Sequence, residues 1–328
     1  MRRGRQAFVL SWVAVCAAMF RGEIAAAADL QVEAKIASYQ KMSGIAGNLS
    51  AVGSDTLNNV MSNWAEGFRK QYPSVQVQIE GKGSSTAPPA LIAGTAQLAP
   101  MSREMKADEL DAFEKKFGYP PTQMRVAIDA LAVYVQKDNP LDKATLTQVD
   151  AVFSKARRCG ASSAIDNWGD LGVKGALATQ PIRLYGRNSA SGTYGYFKEV
   201  ALCGGDYRDT VKEQPGSSAV VQGVTEDKQG MGYSGIGYKT AGVKTLSIAK
   251  DANSPYSATD PEEVYAGKYP LARFLYVYVN RAPGKPLDPL TNEFVKFALS
   301  HEGQEVVLKE GYLPLKAASV EQELAKLR

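Results

Sequence analysis

Apolar side chains recur along this chain with two different spacings. Between residues 75 and 79 every second position is apolar, which is typical of a β-strand. Between residues 57 and 68 the apolar positions lie three or four apart, which predicts a helix with one buried face. Those helical positions are Leu57, Val60, Met61, Trp64 and Phe68. Ser54, Asp55 and Thr56 come directly before them and are candidate helix caps.

The two spacings continue to alternate towards the C-terminus. Further helices are predicted directly after residue 86 and at 106–117, 147–153, 193–202, 290–299 and 302–310. Further strands are predicted at 125–135, 229–238 and 274–280. Residues 29–47 are weakly patterned, and we expect them to form an N-terminal extension packed on the surface. Strands that alternate with helices indicate an α/β fold with mostly parallel pairing.

The first 28 residues are a segment of a different kind. Arginines at positions 2, 3 and 5 precede an uncharged apolar run at 7–20, and the small residues 25–28 follow. This order is typical of a secretory signal peptide, so we expect export and cleavage near Ala28. A lipid attached at Cys16 is the alternative that the sequence leaves open.

Composition and charge exclude several classes of protein. Hydrophobic residues make up 45% and charged residues 22% of the 328 positions, which excludes collagen-like and disordered chains. The net charge is +4, and most of the excess lies in the first 28 residues. The remainder is too nearly neutral for a dedicated nucleic-acid-binding surface. The single histidine, His301, argues against histidine-based metal sites, and we expect neither a metal nor a cofactor.

Two cysteines, Cys159 and Cys203, remain outside the first 28 residues. In an oxidising, exported compartment an even pair of cysteines usually forms a disulfide. Two separate buried thiols are the alternative, because sequence spacing does not give the geometry of a bridge.

Three loops rich in glycine and hydroxyl groups stand where a strand gives way to a helix. They cover residues 53–57, 81–86 and 187–193. The first N–H groups of a helix have no partner within the helix and lie at its positive end, so such loops can bind an anion. Arg187 adds a planar guanidinium suited to an oxyanion. Each loop alone is better explained by helix capping, so it is the set of three that indicates an anion site.

These loops, in this order, resemble those of the periplasmic phosphate-binding proteins of ABC-type phosphate importers. The similarity extends over about residues 48–316 and is most specific at 186–195, Gly-Arg-Asn-Ser-Ala-Ser-Gly-Thr-Tyr-Gly. The resemblance implies a type II periplasmic binding protein fold, an α/β fold of two lobes with central, mostly parallel sheets joined by two crossing strands. Lobe one would comprise residues 48–130 plus 275–328, and lobe two residues 131–274.

The resemblance also implies a phosphate site to which both lobes contribute. Hydroxyl and backbone N–H groups would come from lobe one, whereas Arg187 and the start of the helix near residue 192 would come from lobe two. Ser54 is added from its local chemistry. The predicted phosphate-binding residues are Ser54, Thr56, Leu57, Ser84, Ser102, Arg103, Arg187, Ser191, Gly192 and Thr193.

The chain departs from the family pattern at two acidic positions. The resemblance would place an aspartate near Ser102, where it accepts the proton on phosphate, and another near Ser189, where it orients the arginine. Both positions are serine here. Asp55 is the nearest carboxylate in sequence and is a possible proton acceptor, with helix capping as its alternative. The basis of selectivity for phosphate over sulfate or arsenate therefore stays open.

The expected function is high-affinity capture of inorganic phosphate in the periplasm and its delivery to the membrane permease of an ABC importer. We expect a monomer that catalyses no reaction and binds no nucleic acid. A binding protein for another tetrahedral oxyanion, sulfate or molybdate, is the alternative. A secreted phosphate-ester hydrolase or a secreted interaction protein are further alternatives.

Two polar residues have structural interpretations that the sequence does not separate. Asp129 lies inside an apolar strand, where an unpaired carboxylate would be costly. It either pairs with an arginine near the crossing strands or flanks a strand end. His301 is expected to cap the helix that begins there rather than to act in catalysis.

Overall fold

A computed structural model describes residues 30–328 of the chain. The predicted signal peptide, its cleavage site near Ala28 and Cys16 lie outside the described residues. Strands and helices alternate through the described part, which confirms the α/β fold. The strands are β1 Gly47–Val52, β2 Val75–Glu80, β3 Ala99–Met101, β4 Thr122–Ala130, β5 Ala132–Gln136, β6 Lys143–Thr145, β7 Arg183–Arg187, β8 Lys212–Gln214, β9 Gly230–Ser234, β10 Val243–Thr245, β11 Ser247–Ala249 and β12 Ala272–Val279.

The helices of the described residues are α1 Asn58–Gln71, α2 Ala87–Ala93, α3 Ala107–Phe117, α4 Leu146–Phe153, α5 Gly192–Val200, α6 Ser217–Glu226, α7 Pro261–Tyr265, α8 Pro289–Ala298, α9 His301–Lys309 and α10 Ala317–Ala325. Each predicted helix is present among them, whereas α6, α7 and α10 were not predicted. Short 3-10 turns at Asp55–Leu57, Ser84–Thr86 and Ile236–Tyr238 lie next to the predicted site. Among residues 30–328, no helix combines the length and the apolar character needed to cross a membrane.

The strands form two main groups and one separate parallel pair, β6 with β11. The larger sheet has the order β10-β5-β9-β7-β8, and β12 lies between β3 and β4 in a second sheet. Strands β1 and β2 pair in parallel, and β1 is joined to the residue before β3 because Leu98 N–H donates to Ser50 O at 3.1 Å. The order β2-β1-β3-β12-β4 therefore forms the second group.

Pairing is mixed rather than mostly parallel. Strands β7, β8 and β9 pair in parallel, whereas β12 is antiparallel to β4 and β5 is antiparallel to β9. The predicted strand at 125–135 is two strands, because Leu131 separates β4 from β5 and the two belong to different sheets. The chain thus passes from one sheet to the other at Leu131 and returns at β12, and this reversal of direction makes β4 and β12 antiparallel.

Each group of strands has its own apolar core. Helices α1 and α8 contribute Trp64, Phe68 and Phe294 to a cluster that also includes Val126 of β4. A separate cluster joins Tyr134 of β5 to the buried valines of α6. Separate apolar clusters over separate sheets are the packing that an α/β chain adopts when its sheets lie apart.

Most described residues of the N-terminal extension are exposed, and three apolar side chains attach it to a core. Val32, Ile36 and Ile45 are buried in the larger cluster. The ring of Tyr39 stands edge-on to Phe297, and its hydroxyl donates to a carboxylate oxygen of Glu293 at 2.7 Å. The extension therefore lies on the surface and is held there by a few apolar residues that, although irregularly spaced, all point to the same core.

The predicted disulfide is confirmed. Cys159 and Cys203 are bridged, with their Cα atoms 5.4 Å apart. Cys159 follows α4 and Cys203 follows α5, so the bridge ties together two segments that both pack near the five-stranded sheet. It therefore leaves the passage between the two sheets unconstrained.

Candidate functional site

The loop after β1 does not cap helix α1, although the sequence favoured that interpretation. Neither Ser54 nor Asp55 nor Thr56 accepts a capping hydrogen bond at the start of the following helix. The hydroxyls of Ser54 and Thr56 are buried instead, and the Ser54 oxygen has no hydrogen-bond partner among the described residues. These polar side chains are thus directed to a site rather than to the helix.

The loop between β2 and α2 supplies a buried hydroxyl. The Ser84 oxygen accepts the N–H of Ser102 at 3.0 Å and lies 3.3 Å from the Ser102 hydroxyl. Gly83 has φ of 112°, a conformation that favours glycine, and a Cβ there would lie 2.5 Å from the carbonyl oxygen of Ala190. The glycine thereby allows the loop to approach the backbone of the third loop.

The third loop begins at the end of β7 and opens helix α5. Ser191 is the N-cap of α5, and its side-chain oxygen accepts the N–H groups of Thr193 and Tyr194. A Cβ on Gly192 would lie 2.3 Å from the Ser84 hydroxyl oxygen. A glycine at this position is therefore required for the close approach of α5 to the second loop.

The first and third loops meet directly. The hydroxyl oxygens of Thr56 and Thr193 are 2.9 Å apart, and both side chains are buried. The N–H of Ser85 in the second loop donates to Ala190 O at 3.1 Å. The structure therefore brings together all three loops, which come from the two different sheets.

Arg187 lies at the centre of this arrangement. Its side chain is 1% exposed, and Nη1 donates to the Ser217 hydroxyl at 2.6 Å. Nη2 donates to Pro215 O and lies 3.2 Å from Oδ2 of Asp55. Its Nε is buried without an acceptor among the described residues. Burial lowers the pKa of the Arg187 guanidinium, and the charge of Asp55 opposes that shift.

Arg103 is directed differently from Arg187. Both of its terminal nitrogens donate to the carboxylate of Glu109, at 2.7 Å and 2.6 Å. Nη2 also lies within reach of the Ser85 hydroxyl. Arg103 lines a cleft of about 660 Å³ together with Tyr196. The role of Arg103 as a phosphate ligand stays a prediction, and both terminal nitrogens of its guanidinium already donate to a carboxylate.

The sequence did not identify Arg273, which lies on β12 within reach of the loops. Its guanidinium donates twice to Oδ2 of Asp129, at 3.0 Å and 2.7 Å, and also to Ser102 O at 2.7 Å. The same side chain donates to the Thr193 hydroxyl at 2.9 Å. Asp129 therefore pairs with an arginine, the first of its two interpretations. The signal available in the sequence was an isolated cation at the start of an apolar strand.

The structure adds one residue to the site and changes the interpretation of another. Ser217, at the first position of α6, accepts a hydrogen bond from Arg187 and was not predicted, because two serines at the start of a helix have no distinctive signal. His301 does not cap α9, because Ser300 is the N-cap and accepts the N–H of Gly303. His301 lies on the first turn of α9, with its imidazole 3.9 Å from Glu305, and belongs to none of the three loops.

The assembled site is rich in buried donors. Hydroxyls, helix-start N–H groups and one guanidinium with a free Nε converge, while the nearby carboxylates of Asp55 and Asp129 are already engaged by arginines. Donors of this kind in a dry setting bind a small anion with several oxygen atoms.

Comparison with known proteins agrees with this geometry. The PBP superfamily domain model matches residues 40–302. The phosphate-binding protein PstS of Pseudomonas aeruginosa is 55% identical over 303 residues, covering 92% of this chain and 94% of that protein. A proposed phosphate ABC transporter substrate-binding protein from Clostridium perfringens, solved with bound phosphate, has a TM-score of 0.69 at 26% identity, covering 82% of this chain and all of that one. An ABC-type phosphate transport receptor from Vibrio cholerae shares the fold, with a TM-score of 0.64 at 23% identity, covering 81% of this chain and all of that one.

Proposed function

We propose that this chain, which belongs to the PBP superfamily and within it to the phosphate-binding proteins, captures inorganic phosphate and delivers it to the membrane permease of an ABC importer. The observation that carries the proposal is the meeting of three donor-rich loops around Arg187, with buried polar atoms left over at Ser54 and at Arg187 Nε. Buried polar groups nearly always have partners, and these two belong to loops that meet, so both are available to bind an anion.

The ligand set proposed for phosphate is the one given by the resemblance, with Ser54 added from its local chemistry. Backbone N–H groups of Thr56 and Leu57 and the hydroxyls of Ser54, Thr56 and Ser84 would bind from one side. Arg187 and the start of α5 would bind from the other. Ser102 and Arg103 belong to the set as well, although the carboxylate on Arg103 makes it the weaker candidate.

We further propose that binding closes two lobes over the ligand. Lobe one would be residues 48–130 plus 275–328 and lobe two residues 131–274, with the N-terminal extension packed on lobe one. The separate sheets and separate apolar cores support this division. The passage at Leu131 and the return at β12 would form the hinge between them.

The same proposal covers location and partners. The predicted signal peptide, the disulfide and the similarity to a phosphate-binding protein and to a phosphate ABC transporter substrate-binding protein support export to the periplasm. The partner would be a membrane permease that recognises the closed monomer, and no nucleic acid would be involved. No catalysed reaction is expected, because the loops offer donors for a bound anion and His301 belongs to none of them.

The test is a calorimetric titration of refolded protein that has been stripped of phosphate. We expect tight binding of phosphate and much weaker binding of sulfate and molybdate. Tighter binding of sulfate or molybdate would favour the other oxyanions, and no binding of any of these anions would contradict the proposal. Hydrolysis of a phosphate ester by the same preparation would instead favour an enzyme.

A further inference from the structure

Asp55 makes more polar contacts with the five-stranded sheet and its helices than with its own loop. It follows β1, yet its Oδ2 accepts the N–H of Ser217 at 2.8 Å. The same oxygen lies 3.2 Å from Nη2 of Arg187, at the end of β7. The carboxylate thus bridges the start of α6 and the guanidinium of the proposed phosphate site.

The backbone of Asp55 is held from the same direction. Its carbonyl oxygen accepts the hydroxyl of Tyr238 at 2.8 Å, and Tyr238 ends the 3-10 turn after β9. A Cβ on Gly216 would lie 3.2 Å from Oδ1 of Asp55, so the glycine leaves room for the carboxylate. Three separate contacts therefore connect this one residue to the elements around the five-stranded sheet.

We propose that Asp55 is a positioning residue and a latch: it fixes the guanidinium of Arg187 from across the cleft and holds the two lobes together. This inference rests on the proposed phosphate-binding function and on the proposed division into lobes. Hydrogen bonds that involve a charged group are the stronger kind, and all three contacts break when the lobes separate. The latch therefore slows the release of the ligand.

This role differs from acceptance of the phosphate proton. Oδ2 of Asp55 accepts from Ser217 and faces the guanidinium, so its neighbours are donors of the protein itself, and acceptance of a phosphate proton would fall to Oδ1. A latch acts through Arg187, which phosphate and sulfate would both contact. A proton acceptor acts on phosphate alone, because sulfate carries no proton at neutral pH. Release rate and selectivity therefore separate the two roles.

The experiment measures release of ³²P-labelled phosphate and ³⁵S-labelled sulfate from the full-length mature protein after a chase with unlabelled anion. Asp55→Asn keeps an acceptor for Ser217 but loses the charge. We expect release of both anions to accelerate by about tenfold or more, which corresponds to the loss of a charged hydrogen bond. The ratio of phosphate to sulfate affinity should change by less than about twofold.

Tyr238→Phe provides a second, milder test if Asp55→Asn folds poorly. It removes the hydroxyl that holds the Asp55 carbonyl and leaves the carboxylate in place, so release should accelerate by about two- to tenfold. Asp166→Asn is the matched control, because Asp166 pairs with Arg208 within a single proposed lobe. The control should release phosphate at the wild-type rate.

Two results overturn the latch. A fall of more than about tenfold in phosphate-over-sulfate preference in Asp55→Asn would make Asp55 the proton acceptor. Unchanged release in both Asp55→Asn and Tyr238→Phe would leave Asp55 a local structural residue. Failure of the proposed function is recognised separately, because the wild-type protein would then retain neither anion.

Discussion

At the scale of single residues, the polar atoms without partners are the most informative feature. Buried hydroxyl and guanidinium groups cost free energy unless they are hydrogen-bonded. Ser54 Oγ and Arg187 Nε are both buried and unpartnered among residues 30–328, whereas the other nitrogens of Arg187 are held by Ser217, Pro215 and Asp55. The guanidinium of Arg187 is therefore fixed in orientation, while its Nε–H stays available to an acceptor.

Arg187→Ala should weaken phosphate binding by about two orders of magnitude or more. Loss of a charged hydrogen bond to a buried anion costs about 2–5 kcal/mol, and each factor of ten is about 1.4 kcal/mol. Calorimetric titration measures the change. Arg183→Ala is the control, because Arg183 stands on the same strand with 52% of its side chain exposed and pairs with Asp227. A phosphate affinity within threefold of that of the wild type would mean that Arg187 does not bind phosphate.

Ser54→Ala should separate a ligand contact from a structural role. The hydroxyl has no partner, so its removal should leave the free energy of unfolding unchanged or slightly increased. Phosphate affinity should fall by about three- to tenfold, the value of one hydrogen bond. Titration and denaturant unfolding of the same variant check the two expectations. A fall in stability with unchanged affinity would mean that Ser54 serves the fold.

At the scale of helices and strands, periodicity predicted those elements that have one buried face. The expected helix around 57–68 is α1, and the strand around 75–79 is β2, because burial follows their sequence spacing. Strand β7 has an arginine at each end and a glycine inside, so its pattern gave no strand signal. The division between β4 and β5 at Leu131 could not be predicted, because both strands are buried and their apolar residues form one continuous run in the sequence.

The N-terminal extension stabilises an element at the far end of the chain. A carboxylate oxygen of Glu33 accepts the N–H of Ala317 at 2.9 Å, at the first position of helix α10. Lys316, the N-cap of α10, lies 3.4 Å from the other oxygen. The hydrogen bond from Ala317 is the main cause that lowers the pKa of the Glu33 carboxyl, and Lys316 adds to it. The side chain of Glu33 thus fastens α10 to the N-terminal extension.

Glu33→Gln should lower the melting temperature in a pH-dependent way. Because the folded-state pKa is lowered, the carboxylate stabilises the fold above its unfolded pKa of about 4.3, and this stabilisation is lost as the pH falls through the folded value. The variant should therefore melt below the wild type at pH near 7 and at the same temperature at pH near 2 to 3. Melting curves of both proteins across this range are the measurement. A difference that is equally large in acid would point to packing rather than charge.

At the scale of the whole molecule, the candidate site lies beside the strands β4 and β12, through which the chain passes between the two sheets. Arg273 of β12 stands opposite Asp129 of β4 in the strand register, and the same guanidinium reaches the hydroxyl of Thr193. The donor loops could be predicted because glycine and hydroxyl residues before a helix have a local signature. The contribution of Arg273 could not be predicted, because it depends on which residue of β4 lies beside it, and register is a property of the folded sheet.

The pair also determines the direction of a hydrogen bond in the site. A guanidinium can only donate, so the Thr193 oxygen accepts from Arg273 and its own hydrogen points elsewhere. That hydrogen is left for the Thr56 hydroxyl at 2.9 Å or for a bound anion. Arg273, on strand β12, therefore orients the hydroxyl of Thr193 as a hydrogen-bond donor.

Breaking this pair should affect stability and binding together. Asp129→Asn leaves Arg273, whose side chain is 3% exposed, buried without its counter-charge, and such a change costs about 3–5 kcal/mol of unfolding free energy. Arg273→Gln should cost a similar amount and also weaken phosphate binding, because Thr193 loses the donor that orients it. The double variant should lose clearly less stability than the sum of the two single losses, since one interaction is removed in both. Denaturant unfolding of the four proteins measures this coupling, and purely additive losses would mean that the two side chains do not act as a pair.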